Sequence, residues 1–131
     1  MNTHSRRGPA RLPDAELAVM QALWAIGRPA ARPELDAALE SRRWGPTTVL
    51  NLIARLEGKG FVSRQKQGKG YLYTALVSQA EYLEAESAHV LQRAFGGSAK
   101  QFIAALYAGQ ALSGQDIDEL ERYLHELQKG E

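Results

Sequence analysis

The residues whose types and spacing suggest chemistry fall in one stretch, Trp44 to Phe61. Wound as a helix from Pro46, this stretch puts Thr47, Asn51 and Ala54 on one arc, flanked by Thr48 and Arg55, with Leu50 at the edge. The arc carries small neutral donors and acceptors plus one long guanidinium. Such a face suits close approach to base edges and phosphates in a major groove. Asn51 can pair with adenine at N6 and N7, Leu50 can pack on a thymine methyl, and Thr47, Thr48 and Arg55 can hold flanking phosphates. An ordinary solvated face would carry more Lys and Glu, but a polar surface helix explains the stretch alone about equally well.

Positioning these groups requires a scaffold, and the neighbouring sequence supplies one. Gly45 suits the N-cap and Pro46 the first helical position, where a missing N–H costs nothing. Val49, Leu52, Ile53 and Leu56 make one apolar stripe, and Gly60 supplies the left-handed residue that ends the helix. Upstream, a first helix is predicted over Asp14 to Ile26, with Leu17, Met20, Leu23 and Trp24 inward and Val19 and Ile26 at the margins. Asp14 and Glu16 in its first turn complement the helix dipole. Gly27 ends it, Arg28 to Ala31 form a short extended link, and a second helix opens near Pro33 and stops by Arg43. Leu35, Ala38 and Leu39 face inward from it. Only a few residues separate the second and third helices, which is helix-turn-helix spacing.

After Gly60 the period changes. Phe61 to Lys66 and Tyr71 to Ala75 are predicted strands, joined by the turn Gln67-Gly68-Lys69-Gly70. Arg64, Lys66 and Lys69 lie on the first strand and the tip. A basic tip is usually a solvated edge guarded against aggregation. Directly after a candidate recognition helix, phosphate contact is the better expectation for all three. Three helices and a basic hairpin make a winged helix-turn-helix.

From Ser78 the pattern is helical throughout. Ser78-Gln79-Ala80-Glu81 is a capping box. Tyr82, Leu83, Val90, Leu91, Ala94 and Phe95 give the helix that follows an apolar side, and Gly96-Gly97 ends it. Ser98 caps a shorter helix with Phe102, Ile103 and Leu106 at core spacing, broken between Gly109 and Leu112. Ser113 to Asp116 open a last helix in which Ile117, Leu120, Leu124 and Leu127 form a short coiled-coil stripe. Three short amphipathic helices cannot close a core within one chain, so pairing with a second copy is expected through Phe95, Phe102, Leu106, Ile117, Leu120, Leu124 and Leu127. The expected fold is mainly α with a small β-hairpin: a basic flexible arm over 1–11 containing Arg6, Arg7 and Arg11, a winged helix-turn-helix over 12–77, and a helical dimerisation domain over 78–131.

Composition narrows the function classes. An apolar fraction of 44% in 131 residues is ordinary for a globular chain. Without cysteine, disulfide frameworks, thiolate metal sites and thiol catalysis are excluded. Up to Val77 there are twelve Lys/Arg against six Asp/Glu, and from Ser78 onward four against nine, so a polyanion partner is expected for the first part only. The apolar runs are too short to span a bilayer and no signal peptide opens the chain, so the expected location is cytoplasmic, without membrane insertion. His4, His89 and His125 lack ligand spacing, and no phosphate-binding glycine loop follows a strand. No catalytic residue, metal or cofactor is therefore expected.

The order of features resembles the penicillinase-repressor family (BlaI/MecI type) of bacterial winged-helix regulators. The resemblance runs from Leu12 to about Gln128. It rests on Ala15-Glu16, Leu23-Trp24, Trp44 before Pro46, Thr48-Val49, Arg55-Leu56 and Lys59-Gly60, then on Gly68 with Tyr71-Leu72-Tyr73, Phe95-Gly96-Gly97-Ser98 and Leu112-Ser113. It implies a homodimeric repressor on palindromic operators of resistance or stress genes, released when a membrane sensor protease triggers cleavage in the dimerisation segment. The chain departs from the family where Gly45 replaces Ser or Thr, Leu50 a charged or amide residue, and Asn51 a Thr. It lacks the cysteine cluster of copper-sensing branches, and Ala105-Leu106, roughly where a cleavable bond would align, has no distinctive residue. The alternative function is a winged-helix regulator controlled by a small-molecule effector at the dimer interface.

Overall fold

A computed structural model describes residues 8–130. The expectation of a basic arm falls largely outside them: Arg6 and Arg7 are not among the described residues. The chain divides into two compact units, one ending at Ser87 and the other beginning at Ala88. Each unit is described by itself.

In the first unit, α1 (Asp14–Ile26), β1 (Ala30–Ala31), α2 (Arg32–Ala38), a 3₁₀ turn (Glu40–Arg42) and α3 (Pro46–Gly58) precede a hairpin of β2 (Val62–Gln67) and β3 (Gly70–Ala75). The beginning of α4 (Gln79–Phe95) completes it. The fold is a winged helix-turn-helix: three helices and an antiparallel sheet in the order β1-β3-β2. β1 was not expected, because the Arg28–Ala31 stretch reads as a plain extended link. In place, Ala30 pairs with Tyr73 and Ala31 with Leu72, so the link becomes the third strand. A two-residue strand has no sequence signal of its own; β3 supplies its hydrogen bonds.

The inner face of α1 also differs from the simple stripe. Val19 and Met20 are completely buried, whereas Leu17 and Trp24 are only half-buried. Packing on α3 and β3 rotates the buried sector toward Val19. Trp24 lies at its border, where its indole Nε1 donates to the Val77 carbonyl at 2.9 Å. In α2 the helix ends earlier than expected. Leu35 and Leu39 are buried but Ala38 is exposed, because the chain tightens into the 3₁₀ turn after it.

α3 follows its sequence signals closely. Gly45 occupies the N-cap in extended conformation, and Val49, Leu52, Ile53 and Leu56 are all buried. At the far end the Gly60 N–H donates to the Glu57 carbonyl and the Phe61 N–H to the Leu56 carbonyl, with Gly60 at φ 81°. This is a Schellman closure, whose left-handed position favours glycine. The hairpin turn pairs Gln67 with Gly70 around Gly68 and Lys69; Gly68 at φ 60° occupies the first central position of a II′-type turn.

The start of α4 is fixed as the capping box requires: Ser78 N–H donates to Glu81 Oε1 at 2.8 Å and Glu81 N–H to Ser78 Oγ at 3.1 Å. Tyr82, one turn in, is buried in the winged-helix core against Trp24 and Phe61. Leu83, expected on the apolar side, is exposed instead, because the helix turns Tyr82 to the core and the next residue away from it.

The second unit holds the end of α4, α5 (Ala99–Ala108) and α6 (Gly114–Lys129). Ser98 Oγ accepts from the Gln101 N–H, and Ser113 with Asp116 forms a second capping box. Phe95 and Phe102 meet at 4.9 Å between ring centroids. Ala94, placed on the apolar side by its spacing, is exposed.

Candidate nucleic-acid interface

The candidate site is the outward arc of α3 together with the turn before it and the hairpin after it. Thr47, Thr48, Leu50, Asn51, Ala54 and Arg55 are all exposed while their helix is anchored by four buried aliphatic residues. Leu50 is 44% exposed, a large apolar side chain left in water on a helix that buries Val49, Leu52, Ile53 and Leu56. The arrangement presents an amide, two hydroxyls, an apolar group and a guanidinium on the outward side of α3. No titratable pair or enclosed cavity lies among them.

Two contacts fix how α3 emerges from the core. Arg32 bridges its first turn to α2, with Nη2 donating to the Pro46 carbonyl and Nε to Asp36 Oδ1, both at 2.9 Å. At the other end Lys59 Nζ reaches the Glu16 carboxylate of α1 at 2.5 Å. Glu16 is buried, so this pair is more than a surface contact: an unpaired carboxylate there would be heavily penalised. Glu16 lies in the first turn of α1, where its sequence position puts it as a dipole partner, and its burial against Lys59 is the feature the sequence did not signal.

The turn before α3 adds residues that the sequence did not single out. Arg43 adopts φ 57°, an uncommon left-handed conformation for a bulky side chain, and its N–H donates to the Glu40 carbonyl. Arg42 lies 5.4 Å from the Trp44 ring centroid. Trp44, with Leu39, Pro46, Val49, Asp36 and Glu40, lines a cavity of about 240 Å³ beside the start of α3. The signal available in the sequence was the run Arg42-Arg43 directly ahead of the helix.

Pairing sorts the cations of this half. Arg28 is bound by Glu34, Arg32 by Asp36, Lys59 by Glu16 and Arg64 by Glu57. Among the described residues, Arg42, Arg43, Arg55, Lys66 and Lys69 form no ion pair. Arg11, ahead of α1, is a sixth; the other five lie on α3, on the turn ahead of it and on the hairpin, so most of the unpaired positive charge of this half surrounds the exposed arc. Arg64, expected with Lys66 and Lys69 on the basic hairpin, is internally engaged. The Arg28–Glu34 pair also shapes the entrance to α2. Glu34 accepts from Arg28 and from the Ala31 N–H, and these bonds hold its carboxyl down at about 2.

The residues expected at a dimer contact all lie in the second unit. Phe95, Phe102, Leu106, Ile117 and Leu120 are half-buried, whereas Leu124 and Leu127 are each 49% exposed. No helix among the described residues is long and apolar enough to cross a membrane.

Comparison with known proteins identifies the family. The profile of the penicillinase repressor family matches residues 12–126. The penicillinase repressor of Bacillus licheniformis is 28% identical over 116 residues, spanning 88% of this chain and 91% of that protein. The methicillin resistance regulatory protein MecI of Mammaliicoccus sciuri is 28% identical over 111 residues, spanning 85% of this chain and 90% of its own. A solution structure of the DNA binding domain of the repressor BlaI is 29% identical and covers 55% of this chain and 88% of that one, with a TM-score of 0.49. With the family profile matched along most of its length, the chain belongs to the penicillinase repressor family.

Proposed function

We propose that this protein is a DNA-binding transcriptional repressor that binds palindromic operators as a homodimer. The observation that carries the reading is the exposed arc of Thr47, Thr48, Leu50, Asn51 and Arg55 on a firmly buried helix, with the unpaired Arg42, Arg43, Lys66 and Lys69 around it. α3 enters the major groove. Asn51 and Leu50 read base edges, and the cations and hydroxyls hold phosphates. The names of the relatives, a penicillinase repressor and a methicillin resistance regulator, support the class and suggest resistance genes as targets.

Dimerisation belongs to the second unit, whose half-exposed Leu124 and Leu127 on α6 favour a second copy as cover. Joining two reading heads turns two weak contacts into one strong one, because the second half-site binds at high effective concentration. Loss of dimerisation, for example by cleavage in the α5 region by a membrane sensor protease, would therefore release the operator.

The test is a mobility-shift titration on the DNA flanking the gene, repeated across salt concentrations. The expected result is tight, salt-sensitive binding to an inverted repeat and weaker binding to scrambled DNA. Equal affinity for both, or none for either, would refute the reading.

A further inference from the structure

We infer that Arg64 is a positioning residue, a strut between the hairpin and the recognition helix through Glu57, and not a phosphate contact. The inference rests on the DNA-binding reading but assigns Arg64 a different task from its neighbours Lys66 and Lys69.

Three observations carry it. Arg64 Nε lies 3.1 Å from Glu57 Oε2, joining β2 to the last turn of α3. The guanidinium carbon sits 4.8 Å from the centroid of the Tyr71 ring on the opposing strand. Tyr71 in turn stands 6.4 Å from Tyr73, which is buried in the core. Val62, Arg64 and Lys66 alternate onto one face of β2, the face whose partners across the ladder are Ala75, Tyr73 and Tyr71. The guanidinium is thus paired through Nε and set against one ring face, contacts that Lys66 and Lys69 lack and that hold it to the hairpin and α3.

Glu57 supports the same conclusion from the other side. A carboxylate in the last turn of a helix opposes the helix dipole, so by itself it destabilises α3. Beside a DNA backbone it would also repel. Its presence makes sense where Arg64 occupies it. Below the pair, the Schellman closure ties Phe61 to Leu56, and the Leu76 N–H donates to the Phe61 carbonyl at 2.8 Å. The hairpin root is therefore fixed by backbone bonds, and the Arg64–Glu57 contact sets the angle of what lies beyond it. That angle decides where Lys66 and Lys69 meet the duplex. Arg is needed because its planar fork can pair and stack at once, which an ammonium cannot.

The test compares operator affinity and its salt dependence for Arg64→Ala, Arg64→Lys, Glu57→Ala, the Arg64→Ala/Glu57→Ala pair and Lys69→Ala. A strut predicts that Arg64→Ala and Glu57→Ala each weaken binding about three- to ten-fold, with the double variant no worse than either. Arg64→Lys fails to restore affinity, and Arg64→Ala, Glu57→Ala and the double variant share one salt slope, because each misplaces the same hairpin cations, whereas Lys69→Ala lowers its magnitude by about 1 for the one contact it removes. A phosphate contact predicts the opposite: a smaller slope for Arg64→Ala but not for Glu57→Ala, rescue by Lys, and tighter binding for Glu57→Ala. That pattern would overturn the inference. If the wild type shows no salt-dependent DNA binding, the functional reading fails, and the strut is judged on the free protein by NMR. The Arg64 δ-methylene protons should then be shifted upfield by the Tyr71 ring and return toward ordinary values in Glu57→Ala. Unshifted protons in the wild type would refute the strut.

Discussion

The backbone N–H of Leu12 donates to the hydroxyl of Tyr82 at 2.8 Å, across a separation of 70 residues. Leu12 leads into α1 and Tyr82 stands in the first turns of α4, so one bond ties the two ends of the winged helix. Both residues are buried, and the tyrosine ring packs on Trp24 and Phe61. Burial, together with the nearby Glu86 carboxylate, raises the pKa of the phenol. Tyr82→Phe keeps the packing but leaves a buried N–H unsatisfied, which costs about 1–3 kcal/mol. Urea denaturation should show the midpoint falling with the slope unchanged; an unaltered midpoint would mean that water replaces the hydroxyl.

Asn51 and Leu50 lie side by side on the exposed arc of α3, where a major groove would meet them. Asn51→Ala should lose preference at one A·T position per half-site by about 10-fold, since a bidentate pair contributes about 1–3 kcal/mol of discrimination. Affinity for random DNA should barely change. Binding-site selection with both proteins checks this, and identical base preferences would show that Asn51 only solvates the helix surface.

The Leu124 and Leu127 side chains should be covered in solution. Changing both to Glu puts charge into the expected contact and should shift sedimentation at micromolar concentration from dimer to monomer. Operator affinity should fall at least 10-fold with the linkage lost. A wild type that sediments as a monomer would sink the dimer reading.

Glu34 should titrate far below an ordinary glutamate, near 2, chiefly through its hydrogen bond from Arg28 and then through the Ala31 N–H. Because the folded pKa is depressed, its contribution is fully present above the unfolded value of about 4.5 and disappears as pH falls toward the folded one. Carboxyl-carbon NMR titration measures the midpoint directly. Arg28→Ala should raise it, and an unshifted wild-type midpoint would disprove the pairing.

Several elements of this fold were legible one segment at a time. The bounds of α1, the entry and exit of α3, the capping box at Ser78, the opening of the last helix at Ser113 and the Gly68 turn all came from neighbours within a few residues. Caps, left-handed glycines and proline at a first turn act through local backbone geometry, so local sequence carries them. The exposed arc was legible for the same reason, since four buried aliphatics at helical spacing determine which side remains outside.

What only the tertiary structure decided involves partners distant in the chain. Ala30 and Ala31 became a strand because β3 offered an unpaired edge. Glu16 went inside because Lys59, 43 residues away, arrives beside it. Arg64 looked equivalent to Lys66 and Lys69 as a charge in a hairpin, yet Glu57 and Tyr71 set it apart. Charge counted along the sequence is a sum, whereas charge available to a polyanion is what remains after pairing. Pairing depends on which carboxylates the fold brings within reach, and at the range of an ion pair a shift of a few ångströms decides it.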